Sequence, residues 1–470
     1  RSNKFQDISL FKCFCYYTAM QLIDPWTTKQ LTESLFIVLY LVFTNWVIIG
    51  IFVWSIAWKI AAMWKAGRAG QKIWFVILAV APTLGILEIF YFILYSMISR
   101  RLKIIFSIAF FVFILILLSL MGASPQPVID PPLSSAPYEV VGTPRPKGDR
   151  ILGIDVNMAE DNDYDKAFRL AKEAGMQVVP LSINWKDIET SPGKYEDPGD
   201  ALKITNIYYP PTKTKIALYI RSVDTASKPV PADLLNIPFT DPVMAERYLK
   251  MLNWVFSQIP DVDIEFLSVA DEMDLFWGDQ RKQYQEWGSF FKSVKPALKA
   301  KRPDLKVGFT ITLYGLTRDL AQEFQHNNQE SDIVLVSYYP NDDTGLQEPT
   351  VVSNDYDKLV ATYPSRVIYI EQTGYPTSGF LGSSEAKQRE FIRETFRAWD
   401  KHADQIKYIS FAWLHDLPQS ALDFYTQYYG TSDKNLMEFL RTLGFRTYTG
   451  SGEDKESFRA IKAEAEARGW

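Results

Sequence analysis

Glu272 and Glu371 each end a run of strand-forming apolar residues, IEFLSVAD (264–271) and RVIYI (366–370). A buried strand that stops at a carboxylate puts a charge where it costs free energy unless it is paired or used. Two carboxyl groups that converge on one bond can cleave an acetal. One stays protonated and gives its proton to the departing oxygen, while the other is ionised and attacks the carbon. Set about 5–5.5 Å apart, such a pair works through a covalent ester. A lone glutamate at a strand end more often closes a salt bridge at the rim, so it is the pairing that points to catalysis.

The elements that must position this pair are legible from Arg150 onward. Eight β-type runs follow one another: ILGIDVN (151–157), MQVVPLSIN (176–184), KIALYIRS (215–222), IEFLSVADE (264–272), LKVGFTITL (305–313), SDIVLVSYY (331–339), RVIYIEQT (366–373) and KYISFAWLH (407–415). Helical patterns separate them, among them YDKAFRLAKEAG, AERYLKMLNWVFSQI, YQEWGSFFKSVKPALKAK and EAKQREFIRETFRAWDKHA. Eight strand–helix units over about 300 residues predict an α/β fold, a (β/α)8 TIM barrel over 150–470, with functional residues at the C-terminal ends of its strands. The segments NLMEFLRTLGFRTYTG and SFRAIKAEAEARGW are expected to close the helical ring. Strands four and seven face each other across the mouth, so Glu272 and Glu371 are expected to share a bond.

The chain has 470 residues and a net charge of −5, which argues against nucleic-acid binding. Aromatic residues make up 14% of it, in keeping with a cleft in which sugar faces stack on rings, or with a large core. The two cysteines, Cys13 and Cys15, lie near the N-terminus, and the three histidines, His326, His402 and His415, are scattered. The barrel region is therefore expected to hold no disulfide and no metal, and no cofactor is implied.

The first 121 residues read as an all-α transmembrane region of about three helices, over 35–58, 73–98 and 104–121. Pro82, Gly85 and Glu88 interrupt the second, so a re-entrant segment is its rival. Lys59, Lys65, Arg68 and Lys72 lie in the first loop, and Arg100, Arg101 and Lys103 in the second. Three full spans cannot keep both basic loops in the cytoplasm. The second loop, followed by a signal-anchor-like run, is given more weight and puts everything after residue 122 on the extracytoplasmic side. Residues 122–149 form a proline-rich, extended linker. The expected partners are thus a carbohydrate substrate and, through the N-terminal helices, the lipid bilayer. Arg1 stands where a start methionine would, so the reading frame is expected to begin further upstream.

Several stretches carry a resemblance. The region 150–470 resembles clan A of the glycoside hydrolases, the cellulase-like, β-galactosidase-like and endo-galactanase-like families. Trp185, Ile188, Glu189, Gly193 and Tyr195 in NWKDIETSPGKYEDP are similar to its W-x-x-x-E-x-x-x-G-x-Y stretch. SDIVLVSYYP and IEQTGYPTS resemble the strand-six and nucleophile segments of galactanase-like members, and TLGFRTYTGSGEDKESFRAI the C-terminal segment of several. The resemblance implies a retaining glycosidase with Glu272 as acid/base and Glu371 as nucleophile. The clan usually has Asn before the acid/base, where it donates to the sugar 2-hydroxyl; here Asp271 stands in its place and can donate only when protonated. Trp58–Phe92, WKIAAMWKAGRAGQKIWFVILAVAPTLGILEIFYF, resembles small bacterial membrane modules related to the N-terminal region of phospholipase-D-type synthases, without their HxK motif.

Secondary roles follow by position. Tyr339 shares a face with Ser337 and is expected to donate to Glu371, with Tyr338 as the substitute if the register slips by one. Trp413 is expected to floor the sugar at the cleaved bond. Arg221 is expected to orient Glu371 or bind a hydroxyl, or else to form a rim salt bridge. Asp155 and Asn157 are candidates for sugar hydroxyls, and Trp185, Trp277 and Phe276 for outer subsites; for each of these, packing is the alternative. Two alternatives to hydrolysis remain at this level, a non-catalytic barrel that binds a glycan or a partner, and an envelope transglycosylase with the same machinery.

Overall fold

The computed structural model describes residues 59–71, Tyr91 and 138–470, apart from residues 319 and 343. The three apolar segments lie outside the described residues, Tyr91 excepted. No helix among the described residues is long and apolar enough to cross a membrane. The described residues fall into two separate units. In the first, residues 59–68 form a helix on which Ala62 and Ala66 are buried together with Tyr91, whose hydroxyl donates to Gln71 Oε1 at 2.8 Å.

The second unit is the barrel. Its strands are β1 (Ile151–Ile154), β2 (Val178–Asn184), β3 (Lys215–Arg221), β4 (Ile264–Ser268), β5 in two pieces (Val307–Gly308 and Thr310–Thr312), β6 (Val334–Tyr338), β7 (Ile368–Thr373) and β8 (Ile406–Phe411). All pair in parallel with their sequence neighbours, and β1 pairs with β8. The first piece of β5 bonds to β4 and the second to β6, so the ring closes through a strand broken at Phe309. The eight predicted strands are all present. β1, β4 and β8 end three or four residues before their apolar runs do, because the chain leaves the ladder to build the mouth.

Period-two alternation sorts the strand residues into two cores. Val178, Ala217, Tyr219, Phe266, Leu335, Tyr369 and Tyr408 fill the barrel interior. Their neighbours, such as Leu218, Leu267, Val334, Ile370 and Ile409, pack outward against the helices. The helical ring comprises α1 (Tyr164–Glu173), α2 (Ala201–Tyr208), α3 (Pro242–Gln258), α4 (Arg281–Lys301), α5 (Ala321–Asn328), α6 (Val351–Thr362), α7 (Glu385–Lys401) and α8 (Glu456–Arg468). Side-chain caps start several of them: Asp163 accepts from Lys166 N–H, Asp241 from Val243 N–H and Ser384 from Lys387 N–H.

The ring does not close as expected. Only α8 completes it, tied to α7 by Arg468 on Asp400 at 2.7 Å and by the Trp399 and Trp470 rings 4.9 Å apart. The segment NLMEFLR instead forms the helix Lys434–Arg441, which packs against another insertion helix, Gln419–Tyr429, around Leu417, Leu422, Leu440 and Leu443. Tyr339 and Trp413 pack onto this cluster, so the pair of helices sits at the mouth. The described part of the expected linker, from Tyr138, runs along the barrel: Tyr138 donates to Glu464 Oε1 on α8 at 2.5 Å and Arg145 N–H to Asp400 on α7 at 3.2 Å.

Candidate active site

Glu371 lies inside β7 but outside its ladder. Ile370 pairs with Val336 and Gln372 with Ser337, so no β6 residue faces Glu371. A bulge of this kind re-aims one side chain without ending the strand. The carboxyl that it turns into the mouth is 3% exposed. Its Oε2 accepts from the Tyr219 hydroxyl at 2.5 Å, while Oε1 has no hydrogen-bond partner.

Glu272 is reached by a different route. The β4 ladder ends at Ser268, and residues 269–271 continue along the wall on single bonds: Val269 N–H to Gly308 O, Thr310 N–H to Ala270 O and Asp271 N–H to Val223 O. Glu272 then adopts a left-handed conformation, φ 40°, and precedes the short helix Met273–Trp277. A non-glycine residue with positive φ is uncommon and strained, and such strain collects at functional sites. Glu272 Oε2 accepts from Thr225 Oγ1 at 2.9 Å.

Three carboxyls share this space. Burial pushes Asp271 up to about 8, helped by the charge of Glu272 and opposed by Arg221. Burial likewise pushes Glu272 up to about 7; the Ser337 and Thr225 hydroxyls work against it. Glu371 also stands well above the ordinary carboxylate range, first through burial and then through the charge of Asp271, with the Tyr219 hydroxyl opposing. Asp271 and Glu272 both act on Glu371, and Tyr339 feels Glu272 and Glu371 together. The charges of Asp271 and Glu272, on the chain after β4, thus reach Glu371 on β7.

Around them the expected secondary residues divide. Tyr339 points into the mouth, but its hydroxyl donates to Gln372 Oε1 at 3.0 Å and not to Glu371. Tyr338 faces outward and donates to Asp355 on α6 at 2.9 Å, so the register does not slip. The donor on Glu371 is Tyr219, which sequence reasoning missed. The signal was available, since Tyr219 lies two residues before Arg221 on the same face of β3. Tyr219→Phe is expected to lower kcat about 10- to 100-fold and to move the acidic limb of the pH–rate profile upward, because the lost hydrogen bond favoured the ionised carboxylate. A kcat–pH series on the variant checks both.

Arg221 forms the rim salt bridge, at 2.9 Å to Asp224 and 3.7 Å to Asp271. Trp413 lies at the mouth, 5.8 Å from the Tyr425 ring and close to Asp155, which burial pushes up to about 6 with the indole opposing. Asn157 is engaged in the fold. Its Nδ2 donates to His415 O and its Oδ1 accepts from His415 N–H, both at 2.7 Å, clamping the β1 end to the β8 end. Asn157→Ala is accordingly expected to destabilise the fold by about 2–3 kcal/mol with little change in kcat; denaturant unfolding beside kinetics tells a clamp from a ligand.

Trp185 is also structural. It is 0% exposed and donates to Glu189 Oε2 at 2.8 Å. Glu189 Oε1 accepts from Gly193 N–H at 2.9 Å and from Arg247 at 3.0 Å. The Trp–Glu–Gly spacing is therefore a buried pin beneath the mouth, since a buried carboxylate needs several donors. Trp277 packs edge-on against Phe239 and Tyr284, and the half-buried Phe276 tilts against Trp277.

Residues 33–103 match the model of a family of unknown function (DUF5652), and the phospholipase-D-type resemblance of Trp58–Phe92 finds no support. No curated protein matches the sequence. Among solved structures, GH5_18 from Streptomyces cattleya in complex with GlcNAc is 14% identical at TM-score 0.52, covering 69% of this chain and 80% of that one. Exo-β-1,4-mannosidase Op5Man5 from Opitutaceae bacterium strain TAV5 is 14% identical at TM-score 0.51, covering 71% of this chain, which spans 62% of that enzyme. The GH53 catalytic domain of Ignisphaera aggregans is 15% identical at TM-score 0.50, covering 70% of this chain and 99% of that one. This likeness establishes the fold, a (β/α)8 barrel.

Proposed function

We propose that the barrel is a retaining glycoside hydrolase acting on a β-linked oligo- or polysaccharide, held at a membrane by the N-terminal segments with the barrel on the extracytoplasmic side. One observation carries the enzymatic reading: Glu371, buried on β7 with the Tyr219 hydroxyl on one oxygen, feels the charges of Asp271 and Glu272 from the chain after β4. A barrel that only bound glycan would have no reason to bury Asp271, Glu272 and Glu371 against one another's charge.

In this reading Glu371 Oε1 attacks the anomeric carbon, because Oε2 is held by Tyr219 and Oε1 is not engaged. Glu272 gives its proton to the glycosidic oxygen as the carbon–oxygen bond breaks. Water then loses a proton to Glu272 and attacks the same carbon, and the ester bond to Glu371 breaks. With Asp271 and Glu272 protonated, the repulsion on Glu371 is relieved and the Tyr219 hydroxyl steadies its charge. The neutral Asp271 carboxyl also keeps one donor, which restores to a sugar hydroxyl the bond that an asparagine amide would make.

Asp271→Asn therefore keeps the donor and removes the repulsion. The limb set by Glu371 is expected to move to lower pH, because its carboxyl ionises more easily without the Asp271 charge beside it. A limb left unchanged contradicts this account of Asp271. The reading as a whole is tested by incubation with a cyclophellitol-type epoxide and peptide mass mapping. One adduct on Glu371 is expected; an adduct elsewhere, or none together with no hydrolysis of any aryl β-glycoside, refutes it.

A further inference from the structure

The helix Gln419–Tyr429 meets the mouth at two separated places. Near β8 its Tyr425 ring lies 5.8 Å from Trp413. At its other end Tyr428 lies within electrostatic reach of Asp224, in the loop after β3, and the two line one cavity. Tyr429 is close enough to Glu272 and Asp271 to feel both charges. Since β8, β1, β2 and β3 are consecutive in the ring, the helix spans that whole sector of the rim. Its own apolar cluster holds it there, and Phe439 of the companion helix sits edge-on at 5.5 Å from Tyr339.

Beneath the helix lies a cavity of about 180 Å³. Asn184, Lys186, Asp224 and Ser227 supply its polar lining, and Phe424 and Tyr428 its aromatic wall. Asn184, at the end of β2, is 3% exposed, and its Oδ1 has no hydrogen-bond partner. Its Nδ2 is occupied by Asp187 Oδ2 at 3.0 Å. A buried amide oxygen without a donor is unfavourable, and a ligand hydroxyl would satisfy it. Two acceptors, a flexible cation and ring faces around a small volume suit one sugar unit. The cavity also adjoins the acid/base: Thr225 N–H donates to Asp224 Oδ1 and Thr225 Oγ1 to Glu272 Oε2, each at 2.9 Å.

We infer that this cavity receives the terminal unit of a saccharide chain and that the helix Gln419–Tyr429 stops the chain from threading further, so that the protein releases a short product of fixed length from chain ends. A cleft that cuts internally must be open at both ends; this one is walled on the β8–β3 side. The inference rests on the glycosidase reading and adds its mode of action.

The test uses the full chain with reducing-end-labelled β-1,4-linked gluco-, manno- and galacto-oligosaccharides, the corresponding dyed cross-linked polysaccharides and the epoxide probe. The expected result is one product length from the earliest time points and no dye release. Labelling of Glu371 without a fixed-length product, or with products of mixed length, overturns this inference alone. Neither labelling nor turnover removes the glycosidase reading and this inference with it. The exposed side chains of Lys186 and Gln427 both line the cavity. The double variant Lys186→Ala with Gln427→Ala is expected to fold and to raise KM for the cleaved oligosaccharide about tenfold; an unchanged KM overturns the assignment of the cavity.

Discussion

Glu371→Gln is expected to lower turnover by about 10⁴-fold or more while leaving a folded protein that is more heat-stable than the parent at about pH 8. The first part follows from removing the only atom positioned to form the ester. The second follows from linkage. The Glu371 carboxyl sits above its ordinary range in the folded protein because it is buried beside Asp271. A raised carboxyl binds its proton more tightly folded than unfolded. Its contribution is therefore intact below the unfolded value, about 4.3, and is lost as the pH rises through the folded value. The neutral amide escapes that loss, so the stability gap should widen from about pH 5 to about pH 8. Thermal unfolding across this range is the check, and a variant less stable than the parent at the alkaline end would show that the charge is better compensated than the burial implies. Tyr219 can still donate to the glutamine oxygen, so the fold loses no hydrogen bond at this position.

Glu272→Ala is expected to have an effect that depends on the leaving group. For an alkyl or sugar leaving group the loss is about 10²–10⁴-fold, the ordinary worth of a positioned general acid. For a dinitrophenyl glycoside the first step needs no proton and should stay near the parental rate, with KM falling as the ester accumulates. Azide then separates the two carboxyls. It should rescue Glu272→Ala with retention, as the β-glycosyl azide, and Glu371→Ala with inversion, as the α-glycosyl azide. Interchanged stereochemistry would reverse the two roles, and equal losses on all leaving groups would remove Glu272 from the acid/base position.

The reading of the mouth from the sequence was uneven, and the unevenness has a pattern. Glu272, Glu371, Asp271 and Tyr339 lie within reach of one another's charge, because position on a strand fixes which wall and which height a residue occupies. The partner of each was much less legible. Tyr339 was expected on Glu371 and is found on Gln372; Tyr219 holds Glu371 from across the barrel, 152 residues away in sequence. Asn157 and Trp185 sit at strand ends like true ligands, yet every polar atom of their side chains is engaged by His415 or by Glu189. Strand-end position cannot tell a group free to meet a substrate from one already spent on the fold.

The insertion after β8 shows the same limit on a larger scale. NLMEFLR reads as one more amphipathic helix, and periodicity shows that it has an apolar face but not what that face covers. In the structure it covers the helix Gln419–Tyr429 and the edge of the mouth instead of the barrel wall. By itself the sequence determined the eight strands, their order and the two glutamates, since alternation and apolar runs are local properties of the chain. Only the tertiary structure decided which carboxyls feel one another's charge, which hydroxyl steadies Glu371 and which side of the cleft is walled, because charge coupling, hydrogen bonds and steric closure depend on distances between segments remote in sequence.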